Sequence, residues 1–146
     1  MKVFLDTNVV LDYLFGRDNS GAIDLLFDKI DDGAVDACIS SGSVYTITYL
    51  MEMILKKNGV EKPERLAMVR EQLSLLLFKI RVATVTNPIF HSSLANQGFD
   101  DLEDAYQYHT AIAANCSFLV TQNLKDFPTD NGPIIVCSPV EFVKNL

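Results

Sequence analysis

Short apolar runs recur through this chain at intervals filled by longer amphipathic segments, and that alternation constrains the fold more than any other feature. Lys2 to Leu5, Ala37 to Ser40, Arg81 to Val85, Phe118 to Thr121 and Ile134 to Cys137 are short and mostly β-branched or aromatic at their centres. That is the composition of strands buried on both faces of a parallel sheet. Between them, Asn19 to Asp31, Ser43 to Lys57, Lys62 to Phe78 and Leu102 to Ala114 place apolar residues three and four apart, the period of an amphipathic helix. Val9 to Phe15, Ile89 to Ala95 and Pro139 to Lys144 read as shorter helices, the last with Pro near its start. Asn58 to Pro63 carries Gly59 and Pro63 and breaks one helix from the next rather than one domain from another. Strand, helix, strand order with right-handed crossovers predicts a three-layer α/β/α sandwich around a central parallel sheet of about five strands. Residues 1–146 form a single domain in this reading, and the 49% hydrophobic content fills one core of that size.

Charge and cysteine usage exclude several function classes. A net charge of −7 argues against a broad basic face that holds nucleic acid by phosphate neutralisation alone. Cys38, Cys116 and Cys137 lie far apart in apolar surroundings with no paired spacing, which predicts reduced core thiols and a cytoplasmic protein. No apolar run is long enough for a membrane span, and MKVFLD lacks the charged, apolar and cleavage regions of a secretory signal.

Polar residues gather where the predicted strands end. The first strand stops at Asp6-Thr7-Asn8, and in open parallel sheets ligands collect beyond the carboxyl ends of strands, where helix N-termini converge. Asp6 and Asn8 are equally the residue types that cap a helix before Val9. A second cluster, Asp100-Asp101-Leu102-Glu103-Asp104, precedes a late helix. At about 100° per residue Asp101 and Asp104 are neighbours, while Glu103 points away from Asp101. Here too an acidic first turn complements the helix dipole without any further role. Third, the strand FLV runs into Thr121-Gln122-Asn123, a hydroxyl and an amide in a position that would also suit a plain turn.

Taken in order, LDTN, DDLEDA and FLVTQNLKDF resemble the PIN domain, a small nuclease family, over almost the whole chain. The likeness is greatest to compact prokaryotic members that include VapC-type toxins of toxin–antitoxin pairs. The resemblance implies that Asp6, Asp101 and Asp104 are ligands of Mg²⁺ or Mn²⁺ and catalytic. It makes Asn123 the fourth site position, where many members carry Asp, and Asn8 and Thr121 supporting groups that orient ligands or water. Carboxylate oxygens suit hard divalent cations. A metal-dependent ribonuclease with an RNA substrate follows, with an antitoxin protein as possible partner and a homodimer through the helices at Ser43 to Lys57 and Lys62 to Phe78, whose apolar content exceeds what one side of a small sheet covers.

One position departs from the family. Many PIN domains carry Glu early in the helix after the second strand, where this chain has Thr46. Glu52 is six residues on, roughly 240° around the helix, and is expected to pair with Lys56 instead. A catalytically weak PIN module that binds RNA or a protein is therefore the alternative to the nuclease. A phosphoacceptor receiver ranks last, because RVATVTNP and IIVCSPVE offer neither its acceptor Asp nor its Lys. His91 and His109 read as surface or interhelix residues, the tyrosines as core or interface, and Lys56, Lys57, Lys62, Arg65 and Arg70 as a solvated helix face.

Overall fold

The computed structural model of the protein describes residues 1–18, 20–128 and 132–146. Five strands, β1 (Lys2–Leu5), β2 (Asp36–Ser40), β3 (Arg81–Ala83), β4 (Phe118–Val120) and β5 (Ile135–Cys137), form one sheet. Their order is β3-β2-β1-β4-β5, and all neighbours are parallel. Seven helices connect them among the described residues: α1 (Thr7–Phe15), α2 (Ala22–Asp31), α3 (Ser41–Lys57), α4 (Lys62–Lys79), α5 (Asn87–Ala95), α6 (Leu102–Ala113) and α7 (Pro139–Lys144).

Alternation along each strand separates two cores. Val3, Leu5, Ala37, Ile39 and Val120 point to a layer that includes Val9 of α1, Leu26 of α2, Ile47 of α3, Leu76 of α4 and Phe142 of α7. Phe4, Cys38 and Leu119 point the other way, onto Ala105, Tyr108 and Ala111 of α6. The period of two in a strand thus feeds both faces, and the sheet is the middle of the expected three layers. Each fully buried Phe, Leu or Ile here contributes on the order of 1.5–3 kcal/mol relative to exposure.

Side-chain caps move several boundaries by one or two residues. α1 begins at Thr7 because Asp6 is its N-cap, and it ends on Gly16, whose φ of 61° closes the helix in the left-handed region. α3 begins at Ser41 because the Ser40 hydroxyl accepts the Ser43 N–H at 3.0 Å. α2 starts at Ala22, later than periodicity alone suggests, because the Asp18 carboxylate takes the Ser20 N–H ahead of the helix and the Ile23 N–H in its first turn; Asn19, the predicted start, lies outside the described residues. β3 stops at Ala83, and beyond it the Val85 N–H donates to the Ser41 hydroxyl instead of to a strand. No helix among the described residues is long and apolar enough to cross a membrane.

The strand order sets the place of the site. From β1 the chain passes to β2 and β3 on one side, whereas β4 and β5 lie on the other, so the direction of winding reverses between β1 and β4. A crevice opens beyond the carboxyl ends at such a reversal. Asp6 follows β1 and Thr121 follows β4, and the Asp6 N–H donates to the Val120 carbonyl at 3.0 Å.

Candidate active site

Asp6 is 4% exposed, an unusual place for a carboxylate. Three donors compensate. Its Oδ1 accepts the Thr7 N–H at 2.8 Å and the Gln107 amide at 3.3 Å, and its Oδ2 accepts the Thr121 hydroxyl at 2.8 Å. Burial pushes its pKa up, the bonds from Thr121, Thr7 and Gln107 pull it back, and the net displacement is upward, with Asp126 adding to it. Asp6 is therefore both a helix cap and the fixed centre of a polar network.

Gln107 carries that network across to α6. Its Nε2 stands 2.8 Å from the Thr7 hydroxyl and 3.0 Å from that of Ser43, in addition to its contact with Asp6. The Ser43 hydroxyl lies 2.8 Å from that of Thr7 and 3.0 Å from that of Ser40. The polar ends of β1 and β2 and the middle of α6 are thus joined by side chains that are all buried. Deleting one partner of such a set leaves another unsatisfied, at a cost of about 1–3 kcal/mol.

Asp101 behaves differently. It is exposed and caps α6, its Oδ1 accepting the Glu103 N–H at 2.8 Å. Asp104, half-buried in the first turn, has its pKa pushed up to about 7, first by desolvation and then by Asp101, Asp6, Asp126 and Glu103. Desolvation, Asp101 and Asp6 also raise Glu103. Glu103 does not leave the acidic group as the helical angle suggests. Asp101 has φ −115° and ψ 120°, outside the helix, so the 100° rule does not relate the two. Five carboxylates, Asp6, Asp101, Glu103, Asp104 and Asp126, therefore share one electrostatic field.

These oxygen donors fit a hard divalent ion, whose charge would relieve their mutual repulsion. Asp6, Asp101 and Asp104, the residues expected to hold one ion, all lie at this reversal of the sheet. Among the described residues no three acidic, His or Cys side chains stand close enough to hold a metal directly. Asp101 is turned to its cap and Asp6 to its three donors.

The supporting residues divide. Thr121 is fully buried and links Asp6 to the Asn123 N–H, which it accepts at 3.0 Å. Asn123 enters through its backbone and starts the 3-10 turn Leu124–Asp126 that brings Asp126 to the site. Asn8 is exposed beside this network, and the Thr7 hydroxyl lies within it, 2.8 Å from that of Ser43 and from the Gln107 amide nitrogen. Thr46 lines a cleft of about 570 Å³ together with Ser43, Tyr45, Phe90, Glu103, Tyr106 and Gln107. Glu52 is half-buried, off that cleft, and forms no ion pair with Lys56 among the described residues; an exposed i,i+4 pair gains only a few tenths of a kcal/mol and does not hold two flexible side chains. His109 lies between α5 and α6, its Nε2 3.0 Å from the Asn96 amide, while His91 is exposed.

Residues 2–125 match the model of the PIN domain. The chain belongs to the PIN domain family. No curated protein matches it in sequence. Two solved structures share the PIN architecture. VapBC2 from Rickettsia felis bound to a DNA fragment from their promoter superimposes with a TM-score of 0.61 at 18% identity, over 93% of this chain and 97% of that one. A toxin–antitoxin complex from Klebsiella pneumoniae gives 0.65 at 22%, over 94% and 97%. The sequence reading of this PIN domain missed Gln107, Ser43 and Asp126. A glutamine among Ala105, Tyr108 and Ala111 on a buried helix face was the available signal for the first. The acid before buried Phe127 in LKDF was the signal for the last.

Proposed function

We propose that this PIN domain is a metal-dependent endoribonuclease that hydrolyses phosphodiester bonds in single-stranded or looped RNA. The observation that carries the reading is the shared field of five carboxylates at the reversal of the sheet, with Asp104 raised to about 7 and Asp6 held immobile. Asp6, Asp101 and Asp104 would hold Mg²⁺ or Mn²⁺ through oxygen and water. When bound, such an ion lowers the pKa of a coordinated water and offsets charge on the phosphate. Thr121, Thr7 and Gln107 keep the Asp6 carboxylate in one orientation, which removes a reorganisation cost from the reaction. The Asp104 carboxyl exchanges a proton near neutral pH in the metal-free protein, and a cation beside it favours the charged form.

Two partners belong to this proposal. The Klebsiella neighbour is a toxin–antitoxin complex, which supports a toxin role for this chain with an antitoxin protein as partner. Tyr45, Tyr49 and Met53 form an exposed stripe along α3, at 82%, 63% and 48% exposure, and Phe78 of α4 is 94% exposed. Apolar surface of this kind supports a homodimer. Light scattering at tens of micromolar is expected to give twice the chain mass.

A second reading rests on a specific observation. Thr46 and Asn123 stand where many family members have acids, and no three ligands are pre-assembled among the described residues. That set favours a PIN module that binds RNA or a protein with little catalysis. Incubating the protein with a panel of structured RNAs and Mg²⁺ or Mn²⁺, beside an Asp6→Asn control, separates the two. Internal cleavage lost in the control supports the nuclease. Binding without metal-dependent cleavage supports the module.

A further inference from the structure

Two buried thiols outside the acidic site lie against each other. Cys38 is at the middle of β2, and Cys116 is in the turn that joins α6 to β4; their sulfurs are 3.5 Å apart across 78 positions of sequence. Both are free, and both are buried in the core beneath α6. Cys38 also lines a cavity of about 160 Å³ with Lys2, Arg81, Val82, Ala83 and Ala114. That space admits a molecule the size of water or hydrogen peroxide and presents two cationic side chains beside the sulfur. The third thiol, Cys137, lies on the opposite core and has no thiol neighbour.

We propose that Cys38 and Cys116 are a peroxide-oxidisable dithiol, with Cys38 the thiol attacked through the cavity and Cys116 the thiol that resolves it into an intramolecular disulfide. The two are not equivalent. Cys38 lines the cavity with Lys2 and Arg81, and Cys116 does not; the contact with Cys116 and these two cations hold the Cys38 thiol below its ordinary range against its own burial and the charge of Asp36. Cys116 keeps its proton, raised by that same contact and by burial. Thiolate is the attacking form, so the member facing the cavity is the reactive one. Burial and Glu141 push Cys137 up to about 11, which makes it an internal control.

The chemistry balances with one peroxide. The Cys38 thiolate attacks a peroxide oxygen, the O–O bond breaks, and the departing oxygen takes up a proton and leaves as water. Cys38 is then a sulfenic acid. The Cys116 sulfur bonds to the Cys38 sulfur, the S–O bond breaks, and the hydroxyl leaves with the Cys116 proton as a second water. Two thiols lose two electrons and the peroxide gains them. The sulfurs would close from 3.5 Å to the about 2.05 Å of a disulfide. The resulting bond would tie β2, which ends at Ser40, to the end of α6, which carries Asp104 and Gln107.

The test uses the whole native chain, treated with micromolar hydrogen peroxide, quenched, unfolded and alkylated, with mass spectrometry of the peptides. The expected result is loss of two of the three thiols, a Cys38–Cys116 linkage reversed by dithiothreitol, and full alkylation of Cys137. A Cys116→Ser variant should trap a dimedone adduct on Cys38. Three free thiols under conditions that oxidise a small-molecule thiol would overturn the proposal, as would a linkage through Cys137 or between chains. The wild-type map decides the question even where the variant fails to fold.

Discussion

Asp6 and Asp101 do the same local job in opposite surroundings. Each is the N-cap of a helix, and each accepts a backbone N–H at 2.8 Å. Asp6 is buried and takes two further side-chain donors, whereas Asp101 is exposed and takes none. A cap is a property of the helix end alone. What sets Asp6 apart from a plain cap is the further donors that a neighbouring strand end and helix aim at its carboxylate, Gln107 at the capping oxygen and Thr121 at the other. The difference teaches that the polar network here is assembled from contacts of high sequence separation, with Thr121 and Gln107 each more than a hundred positions from Asp6.

The sharpest way to break the comparison is activity. If both aspartates serve one ion, Asp6→Asn, Asp101→Asn and Asp104→Asn should each lower metal-dependent RNA cleavage by roughly 10²-fold or more. The Asp101/Asp104 double variant should be hardly worse than either single one, because losses within one unit are not additive. Cleavage rates measured with each variant would end the shared-ion reading if the two effects multiplied.

Stability separates the two caps in the next largest effect. Asp6→Ala strands the Thr121 hydroxyl, the Thr7 N–H and one Gln107 contact in a buried place, a cost of about 1–3 kcal/mol. Asp101→Ala removes one exposed cap worth about 1 kcal/mol, and it also removes a like charge from Asp104 and Glu103, so its net cost is smaller. Urea unfolding in metal-free buffer reads both. Equal losses would mean that the buried network adds nothing to the cap.

Asp104 supplies a pH signature. Its folded pKa of about 7 lies above the ordinary 3.8, so between those values the folded chain holds a proton that the unfolded chain has released. Stability from this group is therefore present at low pH and is lost as pH rises through about 4 to about 7. Asp6 and Glu103 are raised as well and act in the same direction. The metal-free melting temperature should fall from pH 5 to pH 8. Asp104→Asn should flatten that fall, and millimolar Mn²⁺ should offset it by binding the charged form. A profile indifferent to both would mean that the carboxylates do not share a field.

Much of the fold was legible because it depends on local pattern. The starts of β1 and α6 and both ends of α7 fall where β-branched runs, the acidic turn and Pro139 place them. The α/β/α layering follows from strands apolar on both faces. The site was legible only as to which strand ends carry it. Reading Asp101 as helical misdirected Glu103, since a cap residue with ψ 120° resets the angle. Nothing in the local sequence singles out Thr7, whose hydroxyl meets Ser43 and Gln107 only because α3 and α6 come to that point. No window of local sequence contains that meeting.

The smallest expected effects lie on α3, where two positions six apart give opposite answers. Thr46 lines the cleft with Glu103 and Gln107, and its hydroxyl reaches back to the Gly42 carbonyl at 3.4 Å, a contact that adds little. A longer acid placed there would extend into the cleft that Glu103 also lines and add an oxygen ligand beside it. Thr46→Glu should therefore lower metal-free stability slightly by repulsion and tighten Mn²⁺ binding several-fold, both read by calorimetry. Glu52 points off the cleft, so Glu52→Gln should leave the metal-linked shift in melting temperature unchanged. If Glu52→Gln abolished the shift while Thr46→Glu left binding untouched, α3 would present its other face to the ion. The contrast between a buried, networked Asp6 and an exposed Asp101 would then describe packing alone.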